Sequence, residues 1–217
     1  KSQFPKFNAL FNNHQYLNIS SKDFSFSKEY LHKELTERKH IASNYLRYDL
    51  IPKQIIGTII STEDPTFGLH RGISKISLGL TLRHNIETKK LKVGGSTISQ
   101  QLIKNCILND ERCITRKIEE AIVALLMENY YKIDKKDILE LYLNMIEFAP
   151  GVYGIEDASE YYFGKKCKEL STTEILVLTY IIPRPLHFHE ALLNKTSQLK
   201  RNLKSHIYRF YPTLIAK

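Results

Sequence analysis

The sequence predicts a mainly α-helical fold. Apolar residues recur at helical spacing in several stretches, alternating strand-like patterns are weak beyond roughly the first 25 residues, and Gly and Pro are few, at 9 and 7 in 217 residues. Ile55, Ile56, Ile59 and Ile60 form one stripe that runs toward Glu63. Over residues 115–131, Ile118, Ile122, Leu125 and Leu126 share a side, with Thr115 as the expected N-cap. Ile138, Leu139, Tyr142 and Leu143 mark a further helix. Ser171-Thr172-Thr173-Glu174 reads as a capping box, followed by an all-round apolar run from Ile175 to Ile182 that Pro183 and Pro185 end. Such a helix belongs in the core. From Lys195 to Tyr211, Leu199, Leu203, Ile207 and Phe210 oppose Lys200, Arg201, Lys204 and Arg209, giving a basic amphipathic helix. Strand character is expected only within roughly the first 25 residues.

Composition narrows the class. With 42% hydrophobic residues the chain is neither disordered nor collagen-like. A chain of this length buries roughly 70% of its unfolded surface, enough for one domain over 1–217 without disulfides or metal. No run of about 20 apolar residues could span a bilayer. The Lys1 start has neither initiator Met nor a signal-peptide core, which leaves open whether a targeting or anchoring segment has been cut away. Against 23 Asp and Glu stand 32 Lys and Arg, a net charge of +9 that favours an anionic partner. Cys106, Cys113 and Cys167 contain no C-x-x-C pair; the spacing of the first two leaves a local disulfide and unlinked thiols both open.

Four constellations could carry chemistry. In Glu63-Asp64-Pro65-Thr66-Phe67-Gly68-Leu69-His70-Arg71-Gly72, a continuing helix aims Glu63 along the buried stripe and near a helix C-terminus. Both effects raise a carboxyl pKa, as proton transfer near neutrality requires, while His70 and Arg71 offset them; on these residues alone a surface acid ending a helix before Pro65 is the competing reading. In Gly94-Gly95-Ser96-Thr97-Ile98-Ser99-Gln100-Gln101-Leu102-Ile103-Lys104-Asn105, the glycines permit a sharp turn and Ser96 or Thr97 caps the next helix. Thr97, Gln101 and Lys104, with Asn105 beside them, form a polar stripe at a helix start, where exposed amides suit a phosphate or diphosphate. Capping alone also accounts for the Gly-Gly-Ser-Thr. Arg116-Lys117-Ile118-Glu119-Glu120 reads as a solvated ion-pair face or as a carboxylate among cations beside an anionic leaving group. Glu140-Leu141-Tyr142-Leu143-Asn144, with the aromatics of Tyr153 to Phe163, is assigned a mainly structural job.

Taken in order, these blocks resemble the glycosyltransferase family 51, which polymerises peptidoglycan from lipid II as monofunctional enzymes or as a domain of penicillin-binding proteins. The resemblance covers roughly residues 50–186, and the two flanks lie outside it. It implies a lysozyme-like bilobal helical fold with a central cleft, working at the outer face of a bacterial cytoplasmic membrane. Glu63 matches the base that deprotonates the acceptor 4-hydroxyl. Glu120 matches the second essential glutamate, with Glu119 its neighbour. Thr97, Gln101, Lys104 and Asn105 match the donor site, and Arg116 and Lys117 match basic residues near the diphosphate. Asp64, Phe67, His70, Ser96 and Gln100 belong to the same motifs. The resemblance implies no required cofactor and no resident metal, although a divalent cation such as Mg or Mn can assist at the diphosphate. Implied partners are lipid II, the growing glycan strand, an anionic membrane surface and other cell-wall synthesis proteins; nucleic acid is not among them. Residues 73–92, with Ile73, Ile76, Leu78, Leu80 and Leu82 among Lys75, Arg83, Lys89, Lys90 and Lys92, read as a head-group contact or as a connector. Two places depart from the family pattern: Phe148-Ala149-Pro150-Gly151 and the helix exit Pro183-Arg184-Pro185-Leu186-His187. Competing readings are a glycan-cleaving muramidase or lytic transglycosylase, and a non-catalytic lipid II-binding scaffold.

Overall fold

The computed structural model describes residues 27–88, 95–106, 114–183, 185–193 and 197–211. Ten α-helices, three short 3-10 helices and one small hairpin make up the regular structure of the described residues, so the mainly α class holds. Helix α1 (Lys28–Glu37) starts at Ser27, whose hydroxyl accepts the Tyr30 amide, and buries Leu31 and Leu35 one turn apart. Helix α2 (Lys53–Glu63) buries Ile55, Ile56 and Ile59 as their spacing predicts, and Ile60 stays half-buried. Helix α3 spans Lys75–Thr88, α4 Ile98–Cys106, α5 Ile114–Asn129 and α6 Lys135–Met145. The hairpin β1 (Glu147–Ala149) and β2 (Val152–Tyr153) is antiparallel, with Glu147 opposite Tyr153 and Ala149 opposite Val152. Its turn holds the Pro150-Gly151 pair that departs from the family pattern. Helices α7 (Ile155–Phe163), α8 (Thr172–Ile181), α9 (Pro185–Leu193) and α10 (Ser197–Phe210) complete the chain.

Helix α4 packs on α5, α6 and α1, while α8 packs on α2 and α10. The capping box forms at the start of α8, where Ser171 and Glu174 satisfy each other's backbone amides. Ile175, Leu176, Leu178 and Ile181 are buried there, as the all-round apolar run requires. Pro185 opens α9 in its first turn, where no intrahelical N–H bond is lost. Leu199 of α10 is buried, and Leu203 and Ile207 are half-buried along the same stripe. Residues Ile138 to Met145 of α6 are all buried. Glu140 accepts hydrogen bonds from the Tyr45 hydroxyl (2.7 Å) and the Tyr48 amide (2.8 Å) and pairs with Lys28 at 2.9 Å. Asn144 accepts from the Leu46 amide and donates to the Leu46 carbonyl, both at 2.8 Å. This block therefore staples the 44–48 loop to the core, a structural job.

Two expectations about α5 are corrected. Helix α5 begins at Ile114, so Thr115 lies inside it. The inward side of α5 is Glu120, Val123, Ala124, Met127 and Glu128, whereas Ile118 is 44% exposed and Ile122, Leu125 and Leu126 are half-buried. The stripe is displaced because the helix buries two carboxylates, Glu120 paired with Arg116 and Lys117 of its own turn and Glu128 with Ser99 and Lys135 of the neighbouring helices. Helix α3 exposes Ile76, Leu78, Leu80 and Ile86. Apolar residues at every second position splay around a helix and cannot form one buried stripe. The expected N-terminal strand character and Cys113 fall outside the described residues; Cys106 is a buried free thiol.

Candidate active site

Glu63 is the last residue of α2 and is half-buried. Its Oε2 accepts a hydrogen bond from Gln101 Nε2 at 3.3 Å. Burial pushes its pKa up, the Gln101 donor opposes that, and the neighbouring Asp64 charge adds to the rise. The cations expected to offset the shift are engaged elsewhere. His70 faces Asp64 at 3.0 Å, and Arg71 donates to the Glu128 carbonyl at 3.4 Å. Gln101 cannot turn away freely, because its Oε1 accepts the hydroxyl of fully buried Tyr142 at 3.0 Å. That bond fixes which end of the carboxamide meets Glu63.

Asp64 sits beneath this pair, 2% exposed. Its Oδ2 accepts the Ile98 amide at 3.1 Å, the first amide of α4. A carboxylate at a helix N-terminus is favoured by the orphan amides and the dipole. The C-terminus of α2 is thereby locked onto the N-terminus of α4. Thr97 and Gln100 form a second capping box: the Gln100 amide donates to Thr97 Oγ1 at 3.2 Å, and the Thr97 amide donates to Gln100 Oε1 at 3.0 Å. Thr97 also donates its hydroxyl to the Gly72 carbonyl at 2.6 Å and is 1% exposed. The structure thus differs from the expected open anion site. The amides of Thr97, Ile98 and Gln100 are taken internally, and the Thr97 hydroxyl is not presented on the polar stripe. Phe67 is buried under Lys135, whose Nζ lies 4.0 Å from the ring centroid.

The second carboxylate is Glu120, 1% exposed. Arg116 Nε lies 3.3 Å from its Oε1, and Lys117 Nζ pairs with its Oε2. Lys117 also donates to Ser96 Oγ at 2.7 Å. This is a buried carboxylate held by two cations, not a solvated ion-pair face. Glu119 is half-buried, so burial separates the two neighbours. Lys104 is exposed one turn along α4 from Gln101, and Asn105 contacts Met145 Sδ at 3.1 Å.

One short segment therefore reaches both carboxylates, Glu63 directly and Glu120 through Lys117. Ser96 holds Lys117 and through it Glu120; Gln101 holds Glu63. The structure gathers Glu63, Gln101, Ser96, Lys117, Glu120 and Arg116 around the start of α4, while Asp64, Phe67, His70, Thr97 and Gln100 form the buried layer that fixes that start. A transglycosylase family profile matches residues 29–209. The chain belongs to that family.

The transglycosylase match extends beyond 50–186 on both sides, from residue 29 to residue 209. The sequence is 38% identical over 159 residues to penicillin-binding protein 1A of Aquifex aeolicus, covering 73% of this chain and 22% of that protein. It is 36% identical over 157 residues to the biosynthetic peptidoglycan transglycosylase of Nitrosomonas eutropha, covering 72% of this chain and 63% of that one. Against the Neisseria gonorrhoeae protein of the same name it is 37% identical over 176 residues, 78% of this chain and 75% of that relative. The chain thus spans about a fifth of the first relative's length and under two thirds of the second's.

Several residues at this candidate site carry no distinguishing signal in the sequence. Tyr142 reads as core by its spacing, yet its hydroxyl orients Gln101. Buried Glu128 accepts the Ser99 hydroxyl and pairs with Lys135 at 2.7 Å, tying α4, α5 and α6 together. Nothing in the local pattern distinguishes Glu128 from a surface acid. Gly72 has φ +86, and a Cβ there would meet the Ala124 carbonyl oxygen at 2.6 Å. Both the backbone conformation and the close approach to α5 exclude a side chain. Gly72→Ala is expected to destabilise the fold by about 2–4 kcal/mol, combining left-handed strain with displacement of α5. A denaturant titration showing less than about 1 kcal/mol would contradict this close packing.

Proposed function

We propose that this chain polymerises lipid II into glycan strands by inverting glycosyl transfer, with Glu63 as general base. In this reading Glu63 takes the proton of the acceptor 4-hydroxyl. The freed oxygen pair bonds to the anomeric carbon of the donor, the bond from that carbon to the diphosphate breaks, and polyprenyl diphosphate leaves with the electrons. Lys104, Arg116 and Lys117 offset the charge that develops on the leaving group, and Glu120 fixes the two cations of its own helix turn. The observation that carries the reading is the Ser96–Gln101 segment bridging a carboxylate of raised pKa and a buried carboxylate–cation cluster. A glycan-cleaving enzyme has no need for the second cluster, and a scaffold has no need for the first.

The remaining parts of the proposal are a bilobal lysozyme-like arrangement with the site in a central cleft, and action at the outer face of the cytoplasmic membrane. No described helix is long and apolar enough to cross a membrane. The exposed apolar side chains of α3, at 58–70% exposure, together with Leu69 at 82%, support a face that meets lipid head groups. No cofactor is required in this scheme; a divalent ion is taken to arrive with the diphosphate. Cell-wall synthesis proteins are the proposed protein partners.

The test is polymer formation from lipid II, with and without a moenomycin-type inhibitor. Inhibitor-sensitive polymer supports the proposal; release of fragments from purified cell walls, or lipid II binding with no product, overturns it. The rate should also report the Glu63 environment. A base must be ionised to act, so the acid limb of kcat/KM is expected above 4.5, the carboxyl's ordinary value, because burial raises its pKa. A limb at or below that value in a pH–rate profile contradicts Glu63 as base.

A further inference from the structure

A cavity of about 500 Å³ lies between the 68–71 segment and the turn from α5 into α6. Arg71, Lys132 and Lys135 all line it, so three cations from two separate segments converge on one space. The Ile133 amide returns to the Met127 carbonyl at 3.1 Å, which ends α5 and leaves Lys132 at φ +57. Glycine is the usual residue at such a position, because a side chain there carries left-handed strain. Here a lysine bears it, and its ammonium has no ion-pair partner among the described residues.

The carboxylates of the wall are committed elsewhere. Glu128 accepts the Ser99 hydroxyl and pairs with Lys135 at 2.7 Å, and Asp134 caps α6 by accepting the Lys136 amide at 2.9 Å. Arg71 meets the Glu128 carbonyl at 3.4 Å rather than a carboxylate. Burial lowers the Lys135 pKa, Glu128 and Asp64 raise it, and the Arg71 charge lowers it again, so cations of this wall repel one another. His70 lines the same cavity with its side chain 8% exposed. Its Nε2 faces Asp64 at 3.0 Å, and its Nδ1 is buried without a hydrogen-bond partner. An ionised carboxylate only accepts, so Nε2 of the neutral ring carries the hydrogen and Nδ1 offers a lone pair.

These features select the occupant. A sugar would find no Tyr, Phe or Trp in this lining to stack on, and an acyl chain would strip water from the cations without replacing its hydrogen bonds. A carboxylate brings two oxygens and no donor for Nδ1. A phosphate brings tetrahedral oxygens for Arg71 and Lys132, and its P–OH donates to the Nδ1 lone pair. We propose that this cavity binds a phosphate group, as the free ion or on a phosphomonoester lipid head group, with residues other than those of the cation cluster at Glu120. Leu69, 82% exposed, lines the cavity too and joins it to the apolar surface of the proposed head-group face. The site stands whether or not Glu63 is the base.

The isotope-labelled full chain is to be titrated with sodium phosphate at constant ionic strength while NMR follows its amide shifts. Saturable shifts are expected at residues 68–71 and 132–135, with a midpoint of about 1–10 mM. Lys132→Gln and Arg71→Gln should each raise that midpoint about tenfold or more, through loss of one charge-assisted contact. Both side chains are exposed, and the rest of each variant's spectrum checks that the fold is kept. Lys132→Gln decides the matter if Arg71→Gln fails to fold. Lys104→Ala, in the proposed diphosphate site, should leave the midpoint as in wild type. No saturable shift in the two segments, shifts that chloride reproduces, an unchanged midpoint in either folded variant, or a midpoint moved by Lys104→Ala overturns the site. Vesicles of phosphatidylcholine with phosphatidic acid identify the source. Vesicle binding that phosphate reverses, beyond chloride at equal ionic strength, assigns a head group; binding indifferent to phosphate, or none, assigns the free ion. Lipid II enters none of these arms, so failure of the polymerase reading shows separately, as absence of polymer.

Discussion

Glu63→Gln is expected to lower the rate of lipid II polymerisation by about 10²–10⁴-fold, the usual contribution of a positioned general base, while the chain stays folded. The substitution keeps the side-chain shape, and the new carboxamide can still accept the Gln101 donor that Glu63 accepts at 3.3 Å. Stability should move the other way from activity. Burial raises the Glu63 pKa in the folded state, so the folded chain holds the proton more tightly than the unfolded one. The stability this confers is fully present below the unfolded pKa and is lost as pH rises through the folded value. A neutral glutamine is free of that dependence. The thermal midpoint of Glu63→Gln is therefore expected to equal or exceed wild type at pH 7–8, and the advantage to vanish near pH 4. Full activity in the variant would refute Glu63 as base; a lowered midpoint at neutral pH would show that the carboxylate is structural.

Glu120→Ala should act through both stability and rate. The carboxylate is 1% exposed and meets Arg116 and Lys117, whose side chains are 13% and 43% exposed. Removing one member of a buried cluster leaves the partners' charges uncompensated, at a cost of about 3 kcal/mol. For a chain of this size that lowers the thermal midpoint by roughly 6–12 °C. Lys117 also loses the partner that helps hold it against Ser96, so polymerisation should fall together with stability. Glu119→Ala, at a half-buried position one residue away, is expected to cost under about 1 kcal/mol. Equal thermal shifts for the two variants, measured by differential scanning calorimetry, would contradict the buried cluster.

Much of this arrangement is legible in the chain. The isoleucine stripe of α2 predicts both its buried side and the partly buried terminal carboxylate, because helical spacing alone carries the face from Ile56 and Ile59 to Glu63. The Ser171–Glu174 box and the prolines after it set the bounds of α8 through backbone donors and their absence. Local pattern fails where polar groups are buried. Helix α5 turns Glu120 and Glu128 inward and leaves Ile118 largely outside, against the apolar count. Glu128 is held by the Ser99 hydroxyl, 29 residues earlier, and by Lys135 at the start of the next helix, contacts that the apolar periodicity of α5 does not reveal. The start of α4 misled for a similar reason. Its amides look free for a phosphate until Asp64, 34 residues earlier, is seen to occupy one of them.

The sequence by itself determined the helical class, the order of the motifs and the residue types the chemistry needs, since these follow from periodicity, capping and side-chain identity within a few turns. Only the tertiary structure decided that Ser96 and Gln101 each hold one of two distant glutamates and that Thr97 and Asp64 serve the scaffold. Those are choices of hydrogen-bond partner and ion pair between segments far apart in the chain, and the low-dielectric interior enforces them only once packing has brought the segments together.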